Sequence, residues 1–151
     1  LQTFKMKIYM LKIFYAIEIG AYLAYMGHYK VSGDKEVRRI AREELRHMIV
    51  LKRLLKHYKQ KPDSRFNGVF FVIGTTIRHL CRIFPGKALN IVAAFLERIN
   101  VVNYRYAAKK FPHFAFVFDA MQENEEEHER YFKGERHGQE NRRDERDVAL
   151  P

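Results

Sequence analysis

The sequence predicts an all-α fold, a four-helix bundle with an additional apolar helix between its second and third ligand-bearing helices. Three observations carry that prediction. Long segments place apolar residues at steps of three and four, which is the period of one face of a helix. Four Pro and eight Gly in 151 residues are spread thinly enough to leave these segments uninterrupted. Within the apolar rows, potential metal ligands recur in a fixed order: Glu18, then Glu44 and His47, then Glu97, then Glu125 and His128.

Composition sets the frame. The length suits one domain able to bury a real core, and 47% hydrophobic residues can fill it. The single Cys81 excludes an intramolecular disulfide and any Cys-rich zinc or rubredoxin-type iron site within this chain. A net charge of +10 points to an anionic partner, either a membrane surface or nucleic acid. The opening residues lack the pattern of a secretory signal, and residue 1 is Leu, which suits a fragment whose natural start is missing.

The first helix is expected over residues 3–30, with Leu11, Phe14, Glu18, Ala21, Tyr25 and His28 in its inward row. Residues 13–26 are apolar apart from Glu18, and their short length favours a buried central helix over a membrane span. Tyr25, seven residues beyond Glu18, is placed to hydrogen-bond near the site or to pack in the core; His28 reads as a rim residue. Asp34 is the expected N-cap of a second helix running to Lys59. Its inward row is Val37, Ile40, Glu44, His47, Met48, Leu51, Leu54 and Tyr58. The remaining surface is a basic stripe, including Arg38, Arg39, Arg42, Arg46 and Arg53, with Glu43 expected outward and paired with a base.

Residues 66–84 read as an apolar helix suited to the core, to a homodimer contact or to a membrane interface. Residues 87–110 form the next helix, with Ala93, Glu97, Val101 and Tyr104 in one row; Tyr104 is expected as a partner of Glu97 or as a packed tyrosine. The last helix, 113–133, lines up Phe114, Phe118, Met121, Glu125, His128 and Phe132 and leaves Glu123, Glu126, Glu127 and Glu129 to solvent. Residues 134–151 are charged and expected to form a disordered tail beyond a helical domain of residues 1–133.

An i, i+3 pair puts a carboxylate and an imidazole on one helix face, where they can share an ion. With seven His in the chain, two such pairs alone carry little. The isolated acids carry more: Glu18 is the only acid in residues 1–33, and Glu97 the only Glu in residues 45–122. A buried unpaired carboxylate costs several kcal/mol, so each needs a partner or a metal. Four carboxylates and two imidazoles suit two iron ions, with manganese as the alternative. One trio is Glu18, Glu44 and His47; the other is Glu97, Glu125 and His128.

The segment IEIGAYLAYMGHY around Glu18, with Gly20, Ala21, Tyr25 and Gly27, resembles the first-helix motif of the demethoxyubiquinone hydroxylases. EELRH fits that family's second ligand motif, Glu97 with Tyr104 the third, and NEEEHERY the last. The resemblance covers residues 13–132. It departs at Asn103, where the family has His, and in the apolar helix, where IGTTIRHLC replaces a Gly-rich stretch. It implies a ferritin-like di-iron bundle with the six ligands above and Tyr104 as a functional residue. The implied activity is O2-dependent hydroxylation of a hydrophobic quinone precursor, with an external electron donor. An anionic membrane surface is the implied partner and nucleic acid is disfavoured; the implied location is cytoplasmic, on the inner face of a membrane. Two competitors stand beside it. One is a ferritin-like Fe2+ oxidase or peroxidase without an organic substrate. The other is a non-catalytic basic binding protein whose Glu18 and Glu97 are held by Arg or Tyr, with Arg98 and Arg105 as candidates.

Overall fold

The computed structural model describes residues 2–135, and 87% of these are helical, with no strand among them. Five α-helices follow in order: α1 (Gln2–Ser32), α2 (Lys35–His57), α3 (Ser64–Leu80), α4 (Gly86–Lys110) and α5 (Ala115–Phe132). A short 3-10 turn, Pro112–Phe114, precedes α5. The sequence places every helix, with ends displaced by a few residues. Asp34 caps α2 as expected, accepting from the Glu36 amide. Asp63 caps α3 in the same way, accepting from Arg65, so α3 starts two residues before the apolar run. Tail residues 136–151 lie outside the described residues.

The helices form two hairpins. Helix α1 packs broadly on α2, and α4 broadly on α5, whereas α1 meets α4 and α2 meets α5 along narrow seams. Two apolar layers join the hairpins. One contains Ile8, Leu11, Leu51, Leu55, Tyr104 and Phe118; the other contains Tyr25, Val37, Ile40, Ala93, Ala94 and Phe132. Helices α1 and α5 run from the first layer to the second, and α2 and α4 run the opposite way. Since α2 and α4 are parallel, the chain must travel the length of the bundle between them, and α3 is that crossover.

Helix α3 packs against α1 alone, and glycine sets how close they come. A Cβ on Gly27 would lie 2.5 Å from the Arg78 Cα, and one on Gly74 would lie 2.5 Å from the Gly20 carbonyl oxygen. Both clashes are with backbone, so neither can be relieved by a rotamer change. Helix α1 is therefore enclosed on one side by α2 and on the other by α3, which explains why it is apolar almost all round. By length and composition the Phe4–Ser32 stretch reaches membrane-span dimensions. Length therefore does not exclude a span, contrary to the expectation from residues 13–26. What marks α1 as a core helix is the complete burial of Glu18 together with packing on two sides.

Replacing Gly74 or Gly27 by Ala should destabilise the protein by about 1–3 kcal/mol, the usual cost of overpacking a tight interface. Urea denaturation followed by circular dichroism measures it. An Ala at exposed Gly68, where a Cβ meets nothing within 4 Å, should not destabilise.

Candidate metal centre

Between the two apolar layers lies a polar one, built from six side chains on four helices. Glu18, Glu44, His47, Glu97, Glu125 and His128 are all buried, none more than 3% exposed. Their positions follow from antiparallel register. Within each hairpin the Glu-x-x-His helix faces its neighbour's single Glu, and across the seam each His faces the other helix's Glu. His47 Nδ1 lies 2.9 Å from Glu125 Oε1, and His128 Nδ1 lies 3.1 Å from Glu44 Oε1. The donor atoms fall into two groups, each within 4.8 Å: Glu18, Glu44, His47 and Glu125, and Glu44, Glu97, Glu125 and His128. Glu44 and Glu125 belong to both.

The site has an approximate two-fold repeat. Tyr25 on α1 donates to Glu97 Oε1 on α4, and Tyr104 on α4 donates to Glu18 Oε1 on α1. Each tyrosine stands seven residues past the Glu of its own helix. That is about 10 Å along the axis at 1.5 Å per residue, too far for its hydroxyl to serve that Glu, but antiparallel packing sets it opposite the other. The expected pairing of Tyr104 with Glu97 is therefore corrected: Tyr104 holds Glu18, and Tyr25 holds Glu97.

The outward-facing imidazole nitrogens are also held. His128 Nε2 lies 2.7 Å from Glu43 Oε2, and His47 Nε2 lies 3.2 Å from Asn124 Nδ2. Glu43 pairs with Arg39 as expected, at 2.5 Å, but it is turned inward to the centre rather than out to solvent. Neither Glu43 nor Asn124 stands out in the sequence, although each immediately precedes the Glu of a Glu-x-x-His pair. Glu129 is buried at 6% exposure, with Lys133 at 2.5 Å and Arg98 at 3.7 Å, and is not solvent-facing. Arg98 and Arg105 pair with Glu129 and Glu126, so the tyrosines and not these arginines partner Glu18 and Glu97. His28, expected at the rim, is buried and stacked on Phe132 at 6.1 Å.

The donor set fits a metal. Glu18 Oε2, Glu97 Oε2, both oxygens of Glu44 and Glu125, and Nδ1 of both histidines are buried without a properly formed hydrogen bond. Such atoms are costly to bury. Ligand atoms of these residues gather in two groups, each within 4.8 Å, where a cation would satisfy them.

The electrostatics of the metal-free centre follow the same symmetry. Burial, then the charges of Glu44 and Glu125, hold Glu18 and Glu97 well above the ordinary carboxylate range. Burial acts in the same direction on Glu44 and Glu125, but the close approach of the outer acids and of the histidines overrides it and lowers both. Burial disfavours the imidazolium of His47, yet Glu125 and Glu44 raise its pKa to about 9. His128 is raised well above its ordinary value by Glu125, Glu43 and Glu44 against the same burial. His47 and His128 are thus pushed toward imidazolium, the inner acids toward carboxylate and the outer acids toward the protonated form.

No family model matches the chain, and comparison with curated proteins and with solved structures gives no match.

The pH dependence of the metal-free protein follows in sign. A histidine whose folded pKa is raised adds stability that is full below its unfolded pKa, about 6.5, and is lost as pH climbs through the folded value. Raised Glu18 and Glu97 act in the same direction. In chelator, the urea midpoint should therefore fall between pH 6.5 and pH 9, the window set by His47. A saturating divalent metal, at a hundred times its dissociation constant, should add about 2.7 kcal/mol and reduce that fall.

Proposed function

We propose that this chain is a ferritin-like, di-iron carboxylate oxidoreductase that hydroxylates an apolar, quinone-like substrate at a membrane surface. The observation that carries the proposal is the two-fold set of four buried Glu and two buried His, whose ligand atoms gather in two groups, each within 4.8 Å. The chain path supports the fold: one lengthwise crossover between two antiparallel hairpins is the connection of ferritin-like bundles. Hard oxygen donors with two imidazoles favour iron or manganese over softer-ligand metals.

Two bound iron ions would supply the electrons for activating O2, with an external donor restoring them. The remaining work falls to the chain. Glu18 with His47, and Glu97 with His128, hold one position each, while Glu44 and Glu125 are placed to be shared. Tyr104 fixes one carboxylate oxygen of Glu18, and Tyr25 one of Glu97. Phe14 stands edge-on to Tyr104 at 5.7 Å, and Phe132 stacks on Tyr25 at 5.3 Å, so an aromatic ring excludes water at each end.

The outer surface supports an apolar, membrane-borne substrate. Val69, Phe71, Val72 and Ile73 on α3, Ile83 and Phe84 in the turn, and Ile91, Phe95 and Val102 on α4 are exposed. Arg65, Arg82, Lys87 and Arg98 are exposed among them. Apolar area interleaved with cations suits an anionic lipid surface. A groove of about 1000 Å³ between α4 and α5, lined by Lys87, Ile91, Phe95, Arg98 and Phe132, reaches inward to the ring that covers Tyr25.

Iron-reconstituted protein should hold about two irons per chain by elemental analysis, and Glu44→Ala with Glu125→Ala should lose them. Loading divalent metal near neutral pH should release protons, with His47, raised to about 9, among their sources, read with a pH indicator dye. Given reductant, the loaded protein should consume O2 only when a polyprenylated quinone precursor is present. Rapid Fe2+ oxidation without any such dependence would instead assign a ferritin-like oxidase, and absence of bound metal a non-catalytic binding protein.

Co-sedimentation with anionic lipid vesicles should weaken at least tenfold in Ile83→Asp with Phe84→Asp, since each Asp removes an apolar contact of about 1.5–3 kcal/mol and adds a repelled charge. Unchanged binding would remove the membrane from the proposal.

A further inference from the structure

The two halves of the centre match ligand for ligand and differ one layer out. At corresponding positions, immediately before Glu44 and Glu125, stand Glu43 and Asn124. Each reaches across the seam to the outer nitrogen of the other helix's histidine. One histidine therefore rests on a carboxylate and the other on a neutral amide.

We propose that the two metal positions are unequal, and that Glu43 makes the position of Glu97 and His128 the stronger while Asn124 leaves that of Glu18 and His47 the weaker. The proposal rests on the two-ion reading given above. A metal on Nδ1 leaves the imidazole proton on Nε2, which must then find an acceptor. At His128 the acceptor is Glu43 Oε2 at 2.7 Å, and Arg39 fixes its other oxygen at 2.5 Å and in turn reaches Glu36 at 2.6 Å. An acceptor carboxylate raises the donor strength of the metal-bound nitrogen and fixes the ring. At His47 the neighbour is the neutral Asn124 amide, whose nitrogen faces Nε2; it would meet the ring proton only by turning over to present its oxygen, a weaker acceptor without charge. Glu43 and Asn124 are positioning residues, acting on the metal through the rings.

The test is an anaerobic Fe2+ titration of the full chain by calorimetry. Wild-type protein should show two binding events; His128→Ala should remove the stronger and His47→Ala the weaker. Glu43→Gln should weaken the stronger event about 10–100-fold, the usual cost of removing such a support, and leave the weaker unchanged. Asn124→Asp should tighten the weaker event by a similar factor. It should do so in the His128→Ala background and not in the His47→Ala background, which separates support of His47 from general attraction by an added charge. A gain in affinity cannot come from misfolding, so this variant decides the matter even if Glu43→Gln loses helicity. The proposal is overturned if the stronger event belongs to His47, if Glu43→Gln weakens both events equally or neither, or if Asn124→Asp tightens neither event or tightens the remaining event in both backgrounds. Fewer than two Fe2+ in wild-type protein overturns the two-ion reading itself, a result distinct from two equal events.

Discussion

Four carboxylates share one dry layer of this protein, and the rest of the fold is arranged around making that tolerable. An ion moved out of water costs several kcal/mol even after relaxation, and like charges at this separation add to the cost. The chain answers with three devices. Imidazoles stand against the two inner acids, tyrosine hydroxyls take one oxygen of each outer acid, and the ligand atoms gather in two groups able to hold a cation. Because α1 meets α4 and α2 meets α5 only narrowly, these polar contacts also join the two hairpins. The apolar layers above and below hold the same seam while sealing it from water.

That constraint explains the different characters of the helices. Helix α2 has solvent along one side and segregates its apolar and basic residues. Helix α1 must bury Glu18 toward the seam and also receive α3 on its back, so small residues occupy that back: Gly20 and Gly27. Helix α4 has no such cover, since α3 stays with α1. Its outer face therefore leaves Ile91, Phe95 and Val102 in the open.

What the sequence makes legible follows from periodicity. A carboxylate inside an apolar row is visible because burial there is unfavourable without a reason, so all six candidate ligands could be placed together before any coordinates. The caps at Asp34 and the breaks near Pro62, Pro85 and Pro112 are local signals of the same kind. Contacts across the seam are not local. Tyr104 was assignable to a carboxylate but not to the correct one, because the choice between Glu97 and Glu18 depends on antiparallel register rather than on spacing within α4. Glu43 looks like a surface acid because Glu44 stands beside it in sequence, and Glu129 because it lies outside the apolar row of its helix; only the partner helices, through His128 and Arg98, reveal that they turn inward. The glycine contact between α1 and α3 was equally hidden, since a glycine inside a helix does not announce which backbone approaches it.

The broken symmetry has a direction. Phe132 stacks on Tyr25, Tyr25 holds Glu97, and Phe132 and Glu129 line the groove between α4 and α5. The half of the centre that includes Glu97 and His128 therefore lies nearest the groove, and it is also the half whose histidine rests on Glu43. The other half, with Glu18 and His47, is closed by Tyr104, Phe14 and Phe118 in the opposite layer. A chain built as two near-equal hairpins has thus placed its charged support and its most accessible wall on the same side. On the proposed two-ion reading the consequence is physical: the position nearer the groove would be the one supported by the longer chain of ion pairs, Glu36 to Arg39 to Glu43 to His128. The position behind it would be left to the uncharged Asn124 and would empty first.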